Sequence, residues 1–154
     1  MAAYRFRNNV LALGALGVGL LVAGPLAAEN IAQIKNSKGT VMVERGSQRL
    51  VGASGTRLQQ SDVVRTGSDG SVGITFTDNT MMSAGPNSVI ALDRYTFNST
   101  THEGRIEASL RSGTLSVVSG KIAKQSPDAM TVRTPATILG VRGTEFFVQV
   151  GEAK

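Results

Sequence analysis

No cysteine occurs in this chain, so neither a disulfide framework nor a thiolate nucleophile is available, and a folded state must rest on burial and backbone pairing. Histidine is nearly absent too, which removes most metal and base chemistry: a zinc site would need mostly carboxylates, unlike the usual N/S ligand set. The one histidine, His102, lies beside Glu103 in the polar run FNSTTHE with no nucleophile or orienting acid to name, and reads as a solvated loop side chain. Clusters of Lys or Arg interleaved with aromatics are missing, which excludes a nucleic-acid face. Aromatics are few. Beyond the N-terminus they are Phe76, Tyr95, Phe97, Phe146 and Phe147, and a core leaves few of these for a sugar-stacking platform. Asp69, Asp78 and Asp93 sit in no EF-hand loop or glycine-aspartate nonapeptide, so turn and cap roles account for them. No cofactor or metal is expected.

What is present begins with Met1 to Ala28, which reads as a signal helix. Arg5 and Arg7 precede an apolar run from Val10 to Ala23, and Gly24, Pro25 and Ala28 supply a break and a cleavage residue. That run, about 14 residues, falls short of the roughly 20 that cross a bilayer, so membrane attachment is expected only if the segment is retained as an anchor. Cleavage lowers Lys plus Arg from 16 to 14 against 11 acidic residues, a net charge near +3. A periplasmic or secreted location follows.

From Glu29 onward the chain shows short alternating runs divided by turn residues. Residues 29–38 read as a linker or a first strand, 39–150 as one β domain, and 151–154 as a tail. GTVMVERG alternates Val41 and Val43 with polar neighbours and ends at a turn. Asp62–Thr66 and Ser71–Thr77 flank GSDG, a hairpin-like signal, and Asp78-Asn79 and Gly85-Pro86-Asn87 mark further turns. Met81 and Met82, adjacent on a strand, should point to opposite faces, with one of them in the core. Gly113 and Gly120 bracket TLSVVS, and Lys121–Ala129 reads as a polar connection with no helix required. Gly39, Gly55, Gly70 and Gly85 recur at intervals of 16, 15 and 15 residues. Such regularity fits a short β-solenoid-like stack, with a β-sandwich as the alternative.

The stretch MTVRTPATILGVRGTEFFVQV is the most informative. Pro135 pushes Thr134 towards an extended conformation and ends the strand MTVRT, Gly140 and Gly143 permit a tight reversal, and Thr144–Val150 has strand composition. Arg142 and Glu145 read as a buried structural ion pair, or alternatively as part of an anion site with Arg133. A phosphate cradle is disfavoured because GVRGTE lacks the P-loop lysine and the third glycine of a dinucleotide fingerprint. Three carboxylates, Asp62, Asp78 and Glu145, are the candidates for a rival hydrolase reading, and cell-wall or glycan binding is the rival binding reading.

These motifs carry a resemblance. GTVMVERG, SDVVRTGSDGSVGITFTDNTMMSAGPNSVIAL, LRSGTLSV and VRTPATILGVRGTEFFV together resemble a FecR domain, the periplasmic module of iron-uptake regulators. The most specific matches are Thr134, Pro135, Arg142, Gly143, Thr144 and Phe146, with Gly140 and Glu145 in the same structural motif. The resemblance implies an all-β envelope domain that works by contact with an envelope protein and performs no catalysis. The iron regulators place an anti-sigma segment before a membrane span, whereas nine residues precede the apolar run here, so envelope-side contact is the expectation rather than direct sigma-factor control. The strand ending in Phe147, Val148, Gln149 and Val150 carries no protective charge, proline or bulge, and is expected either to be covered by Ile31–Ile34 or to pair with a partner or a second copy.

Overall fold

The computed structural model describes residue 24 and residues 26–151, and the helix expected for the signal segment falls on residues outside that range. Twelve strands follow in order: β1 (Asn30–Lys38), β2 (Val41–Arg45), β3 (Gln48–Val51), β4 (Arg57–Gln59), β5 (Val63–Thr66), β6 (Ser71–Phe76), β7 (Met81–Ala84), β8 (Val89–Phe97), β9 (Gly104–Val118), β10 (Met130–Arg133), β11 (Ile138–Gly140) and β12 (Glu145–Val150). Segment 29–38 is thus mostly the first strand.

The sheet is a curled, mostly antiparallel half-barrel. One half runs β4-β1-β6-β7-β9-β12 and the other β3-β2-β5-β8-β9-β10-β11, so the long β9 belongs to both. Among the described residues only β9–β10 pair in parallel. Strand alternation decides which side chains enter the interior. In β6, SVGITF buries Val72, Ile74 and Phe76, and in β7 Met82 is fully buried while Met81 is 47% exposed. Side chains from both halves meet in one core that includes Ile34, Leu58, Ile74, Ile90, Leu110 and Leu115, each contributing roughly 1.5–3 kcal/mol relative to exposure.

The all-β class is as expected, and the arrangement combines features of both stacks considered. Gly39, Gly55, Gly70 and Gly85 lie between β1 and β2, β3 and β4, β5 and β6, and β7 and β8, and every one of these connections crosses from one half of the sheet to the other. The glycine interval therefore counts corners. The chain winds across two faces as a coil does, yet neighbours run antiparallel and the faces close over a shared core as in a sandwich.

Three local expectations are corrected. GSDG does not close a hairpin: β5 pairs with β2 and β8, β6 pairs with β1 and β7, and the turn is one of the corners. There the Thr40 N–H donates to the Asp69 carboxylate at 3.2 Å, tying the corner to the start of β2 rather than to a hairpin partner. Gly113 does not end a strand, because β9 runs through it and bends with φ +87°. The polar connection contains a short helix, α1 (Lys121–Gln125), and a 3-10 turn (Pro127–Ala129).

The helix forms because tertiary partners hold its first turn. Asp78 is fully buried; its carboxylate accepts hydrogen bonds from the Ile122 N–H and from the Thr80 N–H and hydroxyl, and its carbonyl accepts from the Lys121 N–H. Tyr95 contacts the same carboxylate through its hydroxyl, which also bonds Thr77, and burial pushes that hydroxyl far above the ordinary tyrosine range. Ile122 is then carried into the core.

Candidate functional site

β7 and β8 lie end to end along one side of β9, in registers running from Met81 opposite Val118 to Phe97 opposite Gly104. The other side of β9 is shared by β10, which runs parallel beside Ile106–Ser109, and β12, which runs antiparallel beside Gly113–Val118. Between them Leu110, Arg111 and Ser112 have no strand partner on that side among the described residues. A cleft of about 710 Å³ opens at this notch, lined chiefly by Arg111, Ser112, Thr134, Pro135, Gln149 and Val150.

Of the motif residues, Thr134 and Pro135 line it. Thr134 closes a turn on Thr137, donating its N–H to the Thr137 carbonyl at 2.8 Å while its hydroxyl oxygen accepts the Thr137 N–H at 3.1 Å. Pro135 and Ala136 are thereby held at the surface. Across the other end of β12, the Ser119 N–H donates to the Thr144 carbonyl and the Ser119 hydroxyl to the Gly143 carbonyl, both at 2.8 Å. Gly143 takes φ +119°, the conformation its lack of a Cβ permits, whereas Gly140 lies in β11 without a positive φ. Along β12, Phe146 and Val150 are half-buried against the core, Val148 is buried, and Glu145, Phe147 and Gln149 face outward. Phe147 is 64% exposed.

The buried Arg142–Glu145 pair does not form. Arg142 reaches Asp128 instead, with its two nitrogens at 2.8 and 3.2 Å from one carboxylate oxygen, and both side chains are exposed. Gly143 turns the chain outward between Arg142 and Glu145, which carries Arg142 towards the 3-10 turn. This also engages Arg142 away from an anion site with Arg133, which lies on β10. The covering of β12 by Ile31–Ile34 is likewise corrected, since β1 sits between β4 and β6 at the far side of the sheet.

The other candidates are dispersed. Asp62 is buried, accepts the Arg45 guanidinium at 2.9 and 2.7 Å and the Gln59 N–H at 2.8 Å, and by that hydrogen bond raises the Arg45 pKa. Asp78 serves the helix described above, Glu145 lies on the edge strand, and Asp93 accepts the Ser109 hydroxyl. The three carboxylates of the hydrolase reading thus stand on different elements. His102 occupies a turn at φ +61° and stacks on Phe97 with ring centroids 6.2 Å apart. Arg111 and Ser112 fall within LRSGTLSV but are not among the site residues read from the sequence, and the local signal for them is the glycine directly after, where β9 bends.

Comparison with known proteins adds the following. A family model described as FecR protein matches residues 62–154, a span holding β5 to β12 and so the whole of this flank. No curated protein and no solved structure matches the chain. The match extends over more than half of the sequence, and the chain belongs to the FecR protein family.

Proposed function

We propose that the chain is an exported, non-enzymatic module of the cell envelope that acts as an interaction or sensing scaffold, contacting a protein partner through the flank of β9 where β10 and β12 leave a notch between them. Family membership supports an envelope signalling role in general terms. The observation that carries the specific reading is the exposure of the residues bearing the family motif. Pro135 lines the cleft, and Arg142, Gly143, Thr144 and Glu145 are exposed at the opposite end of β12 on the same flank of β9. Loops presented by a rigid sheet are where binding residues concentrate.

A photo-crosslinking residue at Ala136, beside the cleft, is expected to give a discrete adduct with an envelope protein in intact cells. The same probe at Arg49, on the distant β3, should give none. No adduct from Ala136, or equal labelling from both positions, overturns the reading.

A further inference from the structure

We infer that β12 is a self-pairing edge that joins two copies of this chain about a two-fold axis passing beside Phe147. The inference stands apart from the envelope partner, whose cleft lies at the end of the same strand. Its first support is the direction of the backbone groups. The Ser119 N–H donates to the Thr144 carbonyl, and Glu145 stands opposite Val118, which sets the antiparallel alternation. Phe146, Val148 and Val150 therefore turn their N–H and C=O groups towards β9, while Glu145, Phe147 and Gln149 turn theirs outward. No strand covers that side among the described residues.

The second support is the symmetry of those three residues. A second β12 laid antiparallel with Phe147 opposite its own copy uses all three outward residues at once. Glu145 then faces Gln149 of the other chain, where the amide can donate to the carboxylate, and the two phenylalanines form a cross-strand aromatic pair. A shift of two residues in either direction loses a pair. No like charges meet in the centred register.

The third support is a comparison of edges. β3 carries Arg49, 76% exposed in its side chain, β4 is three residues long and carries Arg57, and β11 is also three residues long. These are the short or charged edges by which sheets avoid pairing. β12 is six residues long, carries its one charge, Glu145, at its first position, and presents an exposed Phe147 opposite Ser116 on the outer face. Gly143 and Gly151 flank it with open space where a Cβ would lie, leaving room for the neighbour's ends.

The absence of cysteine makes disulfide trapping selective. Hydrogen-bonded antiparallel pairs place Cα atoms about 5.5 Å apart, within the range a disulfide spans. In cells expressing the full chain, Phe147→Cys is expected to give a covalent dimer under mild oxidation, and so is the double variant Glu145→Cys with Gln149→Cys. Gln149→Cys alone should give no covalent dimer. Light scattering on purified chain should show a dimer that Phe147→Lys converts to a monomer that still melts cooperatively, and the melting temperature should depend on protein concentration in the parent but not in the variant. A monomeric parent, absence of both crosslinks, or a crosslink from Gln149→Cys equal to that from Phe147→Cys overturns the inference. If Phe147→Cys fails to fold, the double variant alone decides.

Discussion

Arg142 offers the plainest test at the level of single residues. Its ion pair with Asp128 is exposed on both sides, and such pairs are worth under about 1 kcal/mol, so Arg142→Ala should leave the thermal midpoint nearly unchanged. Asp78→Ala should behave in the opposite way. It strands the N–H groups of Thr80 and Ile122 and the hydroxyl proton of Thr80 in a buried site, and should cost about 3 kcal/mol in urea denaturation. Asp69 gives a pH test with a definite sign. The Thr40 backbone N–H lowers its pKa below the ordinary 3.8, so its stabilisation is present above that value and lost as pH falls through the depressed folded value. Asp69→Ala should therefore lower the melting temperature at neutral pH, and the melts of parent and variant should converge at strongly acid pH. That these aspartates serve turns and caps was legible, since each sits among turn residues. That one of them would be fully buried was not, because its partners Tyr95 and Ile122 are brought to it by β8 and α1.

At the scale of elements, the bend in β9 separates two kinds of glycine. Gly46 takes φ +58° in an open hairpin turn, and alanine there should cost about 1 kcal/mol from backbone strain alone. Gly113 takes φ +87° against Ser88, whose Cα would lie 2.5 Å from an added Cβ and whose hydroxyl would overlap it. Gly113→Ala should thus destabilise by clearly more than Gly46→Ala in matched urea titrations, because Ser88 also bridges to Thr114 through its hydroxyl. The strands themselves could be read from alternation in GTVMVERG, SVGITF and TEFFVQV. Their partners could not. GSDG has hairpin chemistry, but β5 pairs beside β2, with Val64 opposite Val43, and β6 beside β1, with Ile74 opposite Ile34, and the information for that choice is spread along the whole chain. The cleft was half legible: Thr134 and Pro135 announce a turn, whereas Arg111 and Ser112 matter only because β10 and β12 stop short of each other beside them.

For the molecule as a whole, sharing β9 between the two halves means that neither half is complete without it, so urea denaturation should show a single transition with coincident fluorescence and circular-dichroism midpoints. Separate transitions would indicate halves that stand alone. The same strand also sets a clock. Most ladders join residues far apart in sequence, as where Ala32 pairs with Phe76 and Met81 with Val118, so closure entropy must be spent before these contacts are gained. A chain made from its N-terminus has β1 to β8 available while the strand that joins β7, β8, β10 and β12 is still unmade. Until Val118 has emerged, the strands already made lack the one strand that joins them, so the last step of folding waits for β9 to be complete.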